Sequence, residues 1–155
     1  MRNGARLGID VGRARIGVAR SDPSAILAVP VETVARSADG DGDIRRILAL
    51  AEEFDAIELV VGNPLSMSGA ATASTADAVA FAERLAAAGA HVRLVDERLS
   101  TVSAQQALRA TGKSSKKQRP IIDQAAAVII LQHAIDAERA SGAAPGRTIP
   151  ADEGP

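Results

Sequence analysis

The sequence of 155 residues contains no cysteine, tryptophan or tyrosine, and only two phenylalanines and two histidines. Without cysteine, the chain cannot form disulfides, thiol nucleophiles or cysteine-based zinc sites. The shortage of aromatic rings argues against recognition of nucleic acid by base stacking. His91 and His133 lie too far apart for a metal site of the HExxH type.

The sequence also has little net charge and no long apolar run. The formal net charge is −1, so binding of a nucleic acid would need a local basic patch rather than the field of the whole molecule. No apolar run reaches the roughly 18 residues that a transmembrane helix needs, and the N-terminus lacks the apolar core of a signal peptide. We therefore expect a cytoplasmic protein without membrane contact.

The hydrophobic fraction of 46% comes mainly from small aliphatic side chains, which is typical of an α/β domain. Hydrophobic periodicity and turn residues predict strands over 6–11, 15–20, 28–34, 56–62 and 91–95, and helices over 44–54, 71–88, 101–110 and 120–139. This order predicts a mixed five-stranded sheet flanked by helices. We expect one domain over residues 1–139 and a disordered tail, rich in proline and glycine, over 140–155.

Asp10 is the most informative residue, because it interrupts the apolar run of the first strand. Burial of an isolated carboxylate is costly unless a partner compensates its charge. A divalent cation is one such partner, since hard cations prefer oxygen ligands. The backbone amides of the turn at Gly12, or the side chains of Arg13 or Arg15, are the alternatives.

Two further acids lie where a ligand would bind. Glu97 follows the last predicted strand, and ligands of α/β sheets bind beyond the carboxyl ends of the strands. Asp123 lies near the start of a long apolar helix. As alternatives, Glu97 could form a surface ion pair with Arg93 or Arg98, and Asp123 could merely stabilise the helix dipole.

Three carboxylates would come together here, from Asp10 on a strand, Glu97 at a strand end and Asp123 near a helix start. Two-metal phosphodiester sites use such a set to activate a water and to stabilise the leaving oxygen. Asp96 competes with Glu97 for the direction towards this site, because neighbouring strand residues point to opposite faces. The sequence alone leaves that choice open.

Four blocks of the sequence resemble a known family. They are Gly8-Ile-Asp10-Val-Gly12 with Arg15-Ile-Gly17-Val-Ala, Val61-Gly62-Asn-Pro64-Leu65-Ser-Met-x-Gly69, Val95-Asp96-Glu97-Arg98-Leu-Ser-Thr101, and Ile122-Asp123-x-Ala-Ala. The chain is similar in these blocks to the YqgF/RuvX family of Holliday junction resolvases, also described as pre-16S rRNA nucleases. Asn63 departs from the pattern, since family members more often have leucine at this position.

The resemblance implies an RNase H-like fold and a metal-dependent endonuclease. Asp10, Glu97 and Asp123 would bind Mg²⁺ or Mn²⁺ and act as the catalytic acids. The substrate would be precursor 16S rRNA, cleaved during maturation of its 5′ end in ribosome biogenesis, or alternatively a four-way DNA junction in recombination and repair. Ribosomal particles are a candidate partner, and both a monomer and a homodimer are compatible with the sequence.

Basic residues around these acids are candidates for substrate binding. They are Arg15, Arg98, Lys113, Lys116, Lys117 and Arg119. The cluster from Lys113 to Arg119 could hold phosphates or be an ordinary solvated loop, and Arg15 could instead pair with Asp22. Outside the nucleases, the alternatives are a non-catalytic binding module or part of a sugar-kinase-like ATPase, which would need a second domain.

Overall fold

The computed structural model describes residues 2–38, 40–64, 72–96 and 115–150, with the side chains of the last range described from residue 123 onward. These ranges contain six strands and three helices. The strands are β1 (Ala5–Val11), β2 (Arg15–Ser21), β3 (Ala28–Ala35), β4 (Ala56–Asn63), β5 (Val92–Asp96) and β6 (Arg147–Ile149). The helices are α1 (Gly42–Glu53), α2 (Ala73–Ala87) and α3 (Ser115–Ser141).

The strands form one mixed sheet in the order β3-β2-β1-β4-β5-β6. Strands β1, β4 and β5 are parallel to one another, whereas β2, β3 and β6 are antiparallel to their neighbours. The prediction of a mixed sheet flanked by helices is confirmed, with β6 as a sixth strand. Because β1, β4 and β5 run in the same direction, their carboxyl ends lie at one edge of the sheet.

Each face of the sheet carries its own apolar core. Leu7 and Ile9 of β1 pack with α1 and α2 in the first core. The second core lies between the other face and α3, and contains Ala19, Val60 and Val95. Side chains alternate between the faces of a strand, so Gly8 and Asp10 lie on the α3 face.

Two glycines allow α3 to approach the sheet closely. A Cβ atom added to Gly8 would lie 2.7 Å from the carbonyl oxygen of Ala127. A Cβ atom at Gly17 would overlap the backbone carbonyl of Asp123. At both positions the missing side chain is the space that the helix backbone occupies, so these glycines fix the height of α3 above β1 and β2.

Two sequence-based boundaries were wrong. Helix α3 begins at Ser115 rather than at Pro120, because the lysine, glutamine and arginine residues before the proline favour helix, although Pro120 removes one internal hydrogen bond and crowds the preceding turn. The tail predicted as disordered contains β6, which pairs with β5 and buries Ile149. The pairing satisfies backbone groups that the edge of β5 would otherwise leave open. The helix predicted over 101–110 lies outside the described residues.

The end of the sheet away from the carboxyl ends of β1, β4 and β5 is closed by a group of charged residues, here called the basal ion network. It consists of Arg2, Arg6, Glu58, Arg93 and Glu138. Arg2 bridges Glu58 and Glu138 at 2.9 and 2.8 Å, Arg6 contacts Glu138 at 3.1 Å and Arg93 contacts Glu58 at 3.1 Å. The hydrogen bonds from Arg2 lower the pKa of Glu138 to about 2.

No helix within the described ranges combines the length and the apolar character that crossing a membrane requires.

Candidate active site

Asp10 lies near the carboxyl end of β1, opposite Gly17 of β2. Its carboxylate is partly buried and accepts no hydrogen bond from the described residues. Burial, and secondly the negative charge of Asp123, raise the pKa of Asp10 to about 7. Neither Arg13 nor Arg15 nor the turn at Gly12 compensates this carboxylate, so the structural alternatives for Asp10 are not realised.

Asp123 supplies a second carboxylate from α3. Its position follows from Gly17, since the backbone of the helix contacts β2 at this glycine. The Nε atom of Arg15 donates a hydrogen bond to Oδ2 of Asp123 at 2.8 Å. The predicted alternative, a pair between Arg15 and Asp22, was wrong. Asp22 instead accepts the backbone N–H groups of Ile26 and Leu27 at 2.8 and 2.9 Å.

The end of β5 bears on the choice between Asp96 and Glu97. Val95 belongs to the core under α3, on the same face as Asp10. Asp96 is the last residue of the strand and is exposed, and alternation assigns it to the opposite face. Glu97 lies outside the described residues. With Asp96 assigned to the opposite face, Glu97 stays the predicted third acid.

The turn after Asp10 is held by Arg36. Its guanidinium donates to the carbonyl oxygen of Gly12 at 2.8 Å and to Asp77 at 2.9 Å. The hairpin is closed by the N–H of Gly12, which donates to the carbonyl of Arg15 at 2.9 Å. Sequence reasoning missed this support, because Arg36 and Asp77 lie far from the acidic residues in the chain.

The other predicted substrate residues stay predictions. Arg98 and Lys113 lie outside the described residues, and so does Glu97. Lys116, Lys117 and Arg119 fall within the first turns of α3, in the part whose side chains are not described. All three residues thus lie on a helix rather than in the predicted loop.

The raised pKa of Asp10 makes a prediction for the metal-free protein. Folded Asp10 keeps its proton at pH values where the unfolded residue has lost it, so stability should fall as pH rises from about 4 to about 7. Urea unfolding in EDTA should show that the free energy of unfolding of Asp10→Asn, relative to that of the wild type, is higher at pH 8 than at pH 5. The difference should reach up to a few kcal/mol, because each unit by which the pKa is raised corresponds to about 1.4 kcal/mol. A difference that is the same at both pH values would contradict the raised pKa.

The chemistry of the two carboxylates fits a hard divalent cation. Asp10 and Asp123 come from different elements and are close enough for the charge of one to raise the pKa of the other. Within the described residues no group of three metal-binding side chains occurs. Mg²⁺, however, needs only one or two carboxylates together with water and substrate phosphate. The residues present therefore fit such an ion.

Comparison with known proteins places this chain in a family. The family model described as "RuvX: Holliday junction resolvase" matches residues 4–137. A protein of Clavibacter sepedonicus is 65% identical over 151 residues, which cover 97% of this chain and 94% of the relative. A protein of Leifsonia xyli is 60% identical over 156 residues and all of both chains. Both relatives carry the name "Putative pre-16S rRNA nuclease".

A solved structure shows the same fold. RuvC of T. thermophilus in complex with a Holliday junction substrate superposes with a TM-score of 0.56 at 20% identity, covering 92% of this chain and 99% of RuvC. This likeness confirms the predicted RNase H-like fold. The family match extends over all the described parts of the sheet up to β5 and over most of α3. The chain therefore belongs to the RuvX family.

Proposed function

We propose that this protein is a divalent-metal-dependent endonuclease that hydrolyses phosphodiester bonds of precursor 16S rRNA. The observation that carries the proposal is that the carboxylates of Asp10 and Asp123 lie close together at the carboxyl edge of the sheet, where each would supply an oxygen ligand. The names of the close relatives support the choice of substrate.

The acidic residues of the chain would act by binding the metal ion. Asp10, Asp123 and the proposed third acid Glu97 would hold Mg²⁺ or Mn²⁺, which supplies a nucleophilic water and stabilises the charge of the leaving oxygen. Asp10 has to be ionised for this role, and its pKa of about 7 means that it loses its proton readily near neutral pH. Arg36 holds the turn after Asp10 in place. The basic residues from Lys113 to Arg119 would contact substrate phosphates.

A cleavage assay on two substrates tests this function. The full chain is incubated with Mg²⁺ or Mn²⁺ and either precursor 16S rRNA or a synthetic four-way DNA junction. We expect cleavage of the RNA at a defined position near the mature 5′ end, and no cleavage in EDTA. Cleavage that is equally fast in EDTA would refute the metal dependence, and activity on neither substrate would refute the nuclease.

Resolution of four-way DNA junctions is the second candidate. It is favoured by the description of the matching family model and by the fold shared with RuvC, whose structure contains a junction. The same carboxylates would carry the chemistry. Faster cleavage of the junction than of the RNA, with symmetric incisions in opposite strands, would select this alternative.

A further inference from the structure

Arg15 is held by its backbone on the same face of the sheet as the paired carboxylates. It begins β2, and its carbonyl closes the hairpin by accepting the N–H of Gly12 at 2.9 Å. Arg15 and Gly17 are two residues apart and lie on one face, and Gly17 is paired with Asp10. The backbone of Arg15 is therefore fixed beside the site, and its side chain reaches across to Asp123.

The contact with Asp123 is a single, partly exposed one. The guanidinium forms one hydrogen bond to the described residues, from Nε to Oδ2 of Asp123 at 2.8 Å. The side chain of Arg15 is 35% exposed, whereas that of Asp123 is 17% exposed. Arg36 differs, because it is bound to Gly12 and Asp77 and lies over the ring of Phe81 at 5.1 Å. Arg15 can thus leave its partner for solvent without disturbing the core.

The charge balance explains why Arg15 makes this contact. Burial is the larger cause of the raised pKa of Asp10, and the negative charge of Asp123 is the second, so the two carboxylates repel each other. The guanidinium places a positive charge beside the carboxylate of Asp123, with Nε 2.8 Å from Oδ2. A divalent cation would offset the negative charge of the same oxygen atoms. A cation bound to Oδ2 of Asp123 would displace the Nε donor of Arg15 from that oxygen.

We propose that Arg15 is an internal counter-ion, which occupies Asp123 in the metal-free protein and leaves this carboxylate when a divalent cation binds. The inference rests on the proposed function, because it takes Asp10 and Asp123 as the metal site. It assigns to Arg15 a role that precedes any contact with substrate. The apparent affinity for metal is then lowered by the free energy of the bond that has to break, by about tenfold for a partly exposed charged pair.

Titration with Mn²⁺ tests the competition. Free Mn²⁺ is followed by its paramagnetic resonance signal in the metal-free full chain, without nucleic acid. We expect Arg15→Gln to bind Mn²⁺ about tenfold more tightly than the wild type. Arg13→Gln is the matched control, since it removes the same charge from the exposed turn of the same hairpin, and we expect it to change the affinity less than about threefold.

Each other outcome overturns the proposal. Weaker or unchanged Mn²⁺ binding by Arg15→Gln would mean that Arg15 only orients Asp123 or has no effect on it. An equal gain in Arg13→Gln would mean that overall charge, not the contact, sets the affinity. If Arg15→Gln does not fold, Arg15→Met removes both the charge and the donor from an unbranched side chain and should bind Mn²⁺ about tenfold more tightly than the wild type.

Failure of the proposed function gives a different result. If the wild type binds Mn²⁺ through Asp10 but cleaves neither substrate, the nuclease is refuted while the comparison of Arg15 variants still stands. If Asp10→Asn binds Mn²⁺ as well as the wild type does, the metal is not at this site, and the counter-ion proposal is refuted with it.

Discussion

Replacement of Asp10 by asparagine is expected to slow cleavage of precursor 16S rRNA at least a hundredfold, the scale on which removal of one electrostatic group acts in active sites. The amide keeps the shape of the side chain but removes the charge that would bind the metal. The loss should not come from unfolding. The ionised carboxylate is disfavoured by burial and by Asp123, so the variant should be at least as stable as the wild type at neutral pH.

The measurement is a single-turnover cleavage rate at saturating Mg²⁺, with the melting temperature recorded for each protein. Asp136→Asn is a suitable control, because Asp136 is an exposed residue of α3 whose contacts are with Arg139 and Gln132. We expect this control to cleave at the wild-type rate. Wild-type activity in Asp10→Asn would show that the carboxylate pair is not the catalytic centre.

Replacement of Glu138 by glutamine is expected to destabilise the protein by about 3–5 kcal/mol, the cost of leaving buried charges without their partner. Glu138 is 4% exposed and contacts both Arg2 and Arg6, of which Arg6 is 1% exposed. Loss of the carboxylate leaves the guanidinium of Arg6 buried beside a neutral amide. Urea unfolding at pH 7 would measure the difference.

The destabilisation caused by Glu138→Gln should depend on pH and become smaller in acid. The pKa of Glu138 is lowered to about 2, so its stabilisation is complete above the ordinary pKa of glutamate and is lost as pH falls from about 4.5 to about 2. The gap between wild type and variant should therefore narrow in acid. Glu83→Gln, on the exposed side of α2, should change stability by less than about 0.5 kcal/mol. A small effect at Glu138 would mean that the basal ion network contributes little.

Much of the fold followed from local patterns. The strands from β1 to β5 and the helices α1 and α2 were predicted to within about two residues, because alternation and helical spacing mark a buried face directly. Strand β6 was missed, since it has only three residues and its pairing with β5 is a contact between distant parts of the chain. Ile149 is the only large aliphatic residue in a tail rich in proline, glycine and alanine, and this was too weak a signal.

The acidic residues of the site could be predicted from the sequence, whereas the residues that contact them could not. Asp10 and Asp123 stood out because each interrupts an apolar run, and the structure brings them together. The pair of Arg15 with Asp123 spans 108 residues, and no local pattern reveals such a partner. The basal ion network was missed for the same reason, although Arg6 and Glu58 within apolar strands gave a hint.

Helix α3 carries Asp123 in its first half and Glu138 near its end, 15 residues further on, a separation of about 22 Å at 1.5 Å per residue. Its backbone already fills the space above Gly8 and Gly17, which leaves no room for a shift towards the sheet. Ligands that share an ion must be placed to within about 0.5 Å. The distance between Asp10 and Asp123 is therefore set by the approach of the α3 backbone to these two glycines, and a side chain at Gly17 would push Asp123 away from Asp10 even in molecules that remain folded.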